Sequence, residues 1–148
     1  MELILEKKIA FGLDDYKTHK PVTFELQRDF DKLHIYFQYS PKEVDDCEHI
    51  ITSTLRRYLP EKEVAGINWE KYSPVANLLT LALSFEGQYI GCAHRSPPVQ
   101  HIVIASGGST PGFIAHTPKR GTWDGIISLH AISTPVECSL RIIGEGLK

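Results

Sequence analysis

Short runs in which apolar and polar residues alternate dominate this chain. A period of two is what a half-buried β-strand requires, because successive side chains point to opposite faces. Val22, Phe24 and Leu26 alternate within residues 21–26, and Leu33, Ile35, Phe37 and Tyr39 alternate within residues 33–39. Arg28 to Lys32 form a polar stretch between them, so the two runs are expected to pair as neighbouring antiparallel strands. Residues 2–11 also read as a strand, with a bulge or bend expected where Lys7-Lys8 interrupts the alternation. Further strands are expected at 78–85, 99–105, 112–116, 123–131 and 136–143, each bounded by Gly, Pro, Ser or Asn.

The pattern turns helical once. Ser40-Pro41-Lys42-Glu43 has the form of a capping box, with serine as the cap, proline at the first helical position and glutamate three residues after the cap. Val44, Cys47, Ile51, Leu55 and Tyr58 or Leu59 follow at helical spacing until Pro60. An amphipathic helix over about 41–59 is therefore expected, its apolar stripe laid on the sheets. Residues 61–74 read as an irregular connection, pinned to the body by Trp69 and Tyr72. Together these elements predict one all-β domain over 1–148, a two-sheet antiparallel β-sandwich of jelly-roll type with one inserted helix.

Composition narrows the classes of function. An apolar fraction of 42% and a charged fraction of 23% are those of an ordinary globular domain. The 16 basic residues are offset by 18 acidic ones and form no cluster that could neutralise a phosphate backbone, so nucleic acid is not an expected partner. No apolar run approaches the ~20 residues that span a bilayer. Residues 1–8 lack the order of a signal peptide, so the chain is expected in the cytoplasm and off the membrane. Cys47, Cys92 and Cys138 form no C-x-x-C pair and read as buried free thiols.

Candidate chemistry is sparse. The seven histidines form no H-x-H pair, no H-E-x-x-H helix and no Cys-paired spacing, so neither a metal nor a cofactor is expected. A metal-dependent hydrolase would require the fold to bring dispersed histidines such as His94, His116 and His130 to one ion. No G-x-S-x-G elbow is present, and Ser106-Gly107-Gly108-Ser109 reads as a flexible turn. Asp45-Asp46 suits the first turn of the helix, and Asp14-Asp15 after Gly12 marks a turn. His94-Arg95 sets an imidazole beside a guanidinium in a loop, a pair that can receive an anion or carboxylate or be consumed by an internal salt bridge. Trp123 is either a stacking platform for a sugar or a core residue. The candidate ligand-binding residues are thus His94, Arg95, His116 and Trp123.

The residues Tyr39 to Asp46, Gly91 to Arg95, Ser109-Thr110-Pro111-Gly112-Phe113-Ile114 and Gly121 to His130 also carry a family likeness. In that order they resemble the N-terminal accessory domain of bacterial PHP-type metallohydrolases, the carbaryl-hydrolase-like group, over roughly residues 20–144. The resemblance implies a β-sandwich that accompanies a catalytic PHP domain. The H-x-H pair with which such a catalytic domain opens does not occur here, so no catalytic residue carries over. The resemblance thus implies a non-catalytic accessory or protein-interaction module whose partner is a protein such as a separately encoded PHP-type enzyme. The alternative is a module that binds a carbohydrate or an anionic metabolite.

Overall fold

Nested pairing defines the architecture of the computed structural model, which describes residues 1–44, 48–72, 75–94 and 97–146. Its elements in chain order are β1 (Glu2–Phe11), β2 (His19–Leu26), β3 (Lys32–Ser40), β4 (Glu43–Val44), α1 (Glu48–Leu55), α2 (Glu61–Ala65), β5 (Val75–Ala76), β6 (Leu78–Phe85), β7 (Gln88–Ala93), β8 (Val99–Ala105), β9 (Gly121–Ala131) and β10 (Val136–Glu145). β1 pairs with β10, β2 with β9, β3 with β8 and β6 with β7, all antiparallel. A long hairpin of this kind, rolled up, gives two four-stranded sheets ordered β1-β10-β3-β8 and β2-β9-β6-β7. This is the jelly-roll sandwich that the alternation predicts.

The inner phase of each strand fills the space between the sheets. Leu33, Ile35 and Phe37 from one sheet meet Leu79, Leu81 and Ile127 from the other, all fully buried. Each such side chain contributes roughly 1.5–3 kcal/mol of apolar burial, which makes this layer the main source of stability. Among the described residues no helix is long and apolar enough to cross a membrane.

The structure corrects several expectations. β2 and β3 are not neighbours but lie in different sheets. The polar stretch between them arches from one sheet to the other, and its Phe30, fully buried, plugs the end of the sandwich while its N–H donates to the carbonyl of Pro118 at 2.9 Å. A five-residue polar link can make either a hairpin or an arch, and the hydrophobic residue inside it decides for the arch. The irregularity in β1 falls between Leu3 and Leu5, not at Lys7-Lys8, which leaves Lys7 opposite Leu140.

A strand that the alternation misses is β7. Glu86-Gly87, with φ of 47° and 80°, forms the tight turn that folds β7 back on β6. A register shift between Leu83 and Ser84 then puts consecutive Ile90 and Gly91 in buried positions, so the sequence shows no period of two. Residues 112–116 do not form a strand of their own. They run along β7 through a single bridge between Gly91 and Phe113, with Ile114 N–H donating to Ile90 O at 2.9 Å. A Cβ at Gly91 would collide with Gly112 and Phe113, so glycine is what lets this segment close over the edge of the sheet. The same loop covers β8, because Thr110 exchanges hydrogen bonds with Val103 through its N–H and Oγ1.

The expected helix over 41–59 is shorter and begins later. Ser40 ends β3 opposite Glu137, and Glu43 and Val44 pair with Ala76 and Val75 to close the base of an insertion. Tertiary pairing therefore claims the backbone that the capping signal would have made helical. Asp45, Asp46 and Cys47 lie outside the described residues. Of the proposed stripe, Ile51 is buried in α1 and Leu55 half-buried, and of the alternatives at its end Leu59 is half-buried whereas Tyr58 is 79% exposed. Of the connection expected over 61–74, the described residues 61–72 are more regular than expected, holding α2 and a 3-10 turn at Trp69–Tyr72 that packs on α1. Ile51 and Val64 are buried apart from the main core, and Tyr72 remains exposed.

Asn77 ties this insertion to the sandwich. Its N–H donates to Lys42 O at 2.8 Å, its amide nitrogen to Pro41 O and Thr134 Oγ1, and its Oδ1 accepts from Ser133 N–H at 2.7 Å. The side chain is fully buried, and this set of partners is what makes a buried amide tolerable.

Candidate functional site

The outward phase of the strands, not the loops, assembles the most developed surface. Register across β1, β10, β3 and β8 lays Lys8, Ser139, Gln38 and Val99 in one row, and Glu6, Arg141, Tyr36 and His101 in the next. Residues directly opposite in antiparallel strands share a face, so both rows point away from the core. Two adjoining depressions of about 510 and 380 Å³ lie over these rows and share Lys8, Gln38 and Ser139. Volumes of this order fall within the range of small-ligand sites.

The polar side chains in the depressions are available. Glu6, Lys8, Gln38, Glu137, Ser139 and Arg141 make no side-chain hydrogen bond or ion pair among the described residues. By contrast, the aromatic group beside them is held firmly. The Tyr36 and His101 rings stack with centroids 4.5 Å apart and planes 6° apart. His101 Nε2 faces His34 Nδ1 at 2.9 Å, and His34 Nε2 lies 2.8 Å from Glu145 Oε2. Hydrogen bonding to His34 holds the Glu145 carboxyl below its usual range. Desolvation on the sheet face, and then the nearby His34, push His101 below the ordinary histidine value.

The residues singled out from sequence do not form one site. Trp123 is fully buried in the core, between Phe24 and Phe85, and its indole N–H donates to Lys119 O at 3.0 Å. It is the core residue of the two alternatives, and its ring offers no face to a sugar. His116 packs edge-on against Trp123, with Nδ1 buried and without a partner among the described residues. His94 lies on the far sheet, exposed, with its ring edge-on to His130 at 5.3 Å. Arg95 lies outside the described residues. His94 and His130 therefore meet, while His116 belongs to a separate environment.

On that second sheet His130 is tied to Thr80 Oγ1 at 2.8 Å and His19 to Ser128 Oγ at 2.7 Å. Burial, then the charges of His94 and His19, lower the affinity of His130 for a proton. No group of three or more potential ligands is placed to share a metal ion among the described residues. Cys138 is buried in the core and its thiol is pushed up to about 12, which makes it inert. Burial also raises Cys92, against an opposing hydrogen bond with Thr80.

No protein-family model matches the chain, and no curated protein matches it. The geometry of the sheet face is therefore what bears on its function.

Proposed function

We propose that the chain is a non-catalytic accessory module that binds its ligand on the outer face of the β1-β10-β3-β8 sheet. The observation that carries this reading is the array of unpaired polar side chains across that face, lying under two joined depressions of about 510 and 380 Å³. These side chains are engaged by water and by no protein partner among the described residues, so a ligand can take them over at an ordering cost of about 0.5–1.5 kcal/mol for each long side chain it immobilises. The likeness to an accessory domain of PHP-type metallohydrolases supports the same role, with the chemistry performed by a partner enzyme.

The test is an NMR screen of the labelled protein against a chemically diverse set of small polar molecules. Shifts concentrated at Lys8, Gln38, Ser139 and Arg141, abolished by the Gln38→Ala/Arg141→Ala double substitution, are the expected result. Binding confined to the histidines of the other sheet, or turnover of any compound, overturns it.

A second reading, recognition of a protein partner, is favoured by the insertion. Its exposed Tyr58 and Tyr72 give it the character of a contact surface. A partner captured by this element would lose affinity when Tyr58 and Tyr72 are both changed to Ser, with the sheet face untouched.

A further inference from the structure

We infer that the ligand of the outer sheet face is a neutral saccharide, stacked on the free face of Tyr36. This rests on the reading that the face is a binding surface, and it adds the chemical class of what binds.

Tyr36 is a wall with one side open. His101 covers one face of its ring, in parallel contact at 4.5 Å. Tyr36 is 41% exposed and lines the depression together with Gln38, Ser139 and Arg141, whereas His101 does not line it. The uncovered face of the ring therefore borders the depression. An apolar ring face beside hydrogen-bonding groups suits a ligand that is itself apolar on one side and hydroxylated at its rim.

The charges in the depressions also cancel. Lys8 and Arg141 stand against Glu6 and Glu137, so no net field selects an anion or a cation. What remains is a mixture of donors and acceptors, with Gln38 and Ser139 able to act as both. Sugar hydroxyls also donate and accept, and can satisfy such a mixture without leaving a charge unpaired.

Finally, the wall is buttressed from behind. Glu145 holds His34, His34 holds His101, and His101 holds Tyr36, through contacts of 2.8, 2.9 and 4.5 Å respectively. A ring fixed before binding loses little freedom on stacking. His34, His101 and Glu145 are positioning residues in this arrangement, since none of the three lines the depressions.

The experiment is an NMR titration with neutral hexasaccharides of glucose, mannose and xylose, run beside an oligogalacturonate and inorganic phosphate. At least one neutral sugar should shift the amides of Tyr36, Gln38, Ser139 and Arg141. Tyr36→Ala should weaken that binding about tenfold or more, whereas Tyr36→Phe should leave it nearly unchanged. The dispersion of each variant's spectrum reports directly whether it is folded. Binding of the acidic oligosaccharide or of phosphate alone at these residues overturns the neutral saccharide and leaves the face as a binding surface. Silence from every sugar overturns it also, and sugar-induced shifts that all fall outside this face overturn both readings.

Discussion

His34 and His101 meet end to end, with Nδ1 of the first facing Nε2 of the second at 2.9 Å and the ring planes 20° apart. Their centroid separation of 5.2 Å is that of rings joined through their nitrogens, not of rings lying face to face. Ionised Glu145 can only accept, so the proton on His34 sits at Nε2, 2.8 Å from Glu145. Neutral His34 then offers a bare Nδ1, and His101 must donate to it from Nε2.

This order of donors has a pH consequence. The folded state lowers the proton affinity of both His101 and His130, chiefly by desolvation and then by neighbouring histidines. A histidine whose folded pKa lies below its unfolded value of about 6.5 binds protons better in the unfolded chain, so stability is full above that pH and declines as pH falls through it. Glu145, lowered mainly by its bond to His34, adds a loss at still lower pH, beneath the ordinary carboxylate range. Urea midpoints measured at pH 7.5 and pH 5 should fall on acidification, and His101→Gln/His130→Gln should shrink that fall. An equal fall in the variant would place the acid sensitivity elsewhere.

Asn77 is expected to be the most costly polar residue to remove. Asn77→Ala leaves Ser133 N–H and Pro41 O without the partners that the side chain supplies. A buried group left unpaired costs on the order of 1–3 kcal/mol, but Ser133 is half-buried and Pro41 exposed, so water replaces part of what is lost and a loss of about 1–2 kcal/mol in chemical denaturation is expected. Hydrogen exchange should at the same time accelerate in residues 48–72. Uniform acceleration across both sheets would mean that Asn77 does not anchor the insertion specifically.

Most of the sandwich was legible from the sequence because its strands are buried on one face. The runs at β6 and β8 were bounded as the structure has them, and β9 and β10 differ only at their ends. What the alternation could not show was which strand lies beside which. The arch at Phe30 and the hairpin at Glu86-Gly87 are decided by tertiary burial and by a register shift. The candidate site stayed hidden for a related reason. Tyr36, Gln38, Ser139 and Arg141 are the polar phase of strands recognised by their apolar phase, and they become neighbours only once β3 and β10 are placed in register. His94 stands out in the sequence for its place beside Arg95 and Trp123 for its place after Gly121-Thr122, yet His94 is exposed at the end of β7 and Trp123 is core.

Gly144 and Phe30 should be energetically coupled. A Cβ at Gly144 would lie less than 3.0 Å from the ring of Phe30, a fully buried side chain that would have to shift. Gly144→Ala is expected to cost about 1–3 kcal/mol by overpacking. In the background of Phe30→Leu, which shortens the obstructing side chain, the same change should cost distinctly less. Additive losses in the double-mutant cycle would contradict this contact as the source of the strain.

Lys7 is expected to keep the protein from associating through β1. The edge of β8 is covered by Thr110 and that of β7 by residues 112–114, whereas β1 pairs only with β10 among the described residues. A ten-residue edge strand with free backbone groups is a template for pairing with another chain. Lys7 lies opposite buried Leu140, on the side of β1 that faces the other sheet, yet its side chain reaches solvent. A strand added beyond β1 would have to cover this ammonium group or displace it, which removes much of the gain from new backbone hydrogen bonds. Lys7→Ile removes the charge and extends the apolar phase of Leu5 and Ile9. Sedimentation equilibrium should then show concentration-dependent self-association well above that of the wild type, while Lys8→Ile, on the outward face, should change it less. Identical behaviour of the two variants would mean that general surface hydrophobicity, not the position of Lys7, controls association.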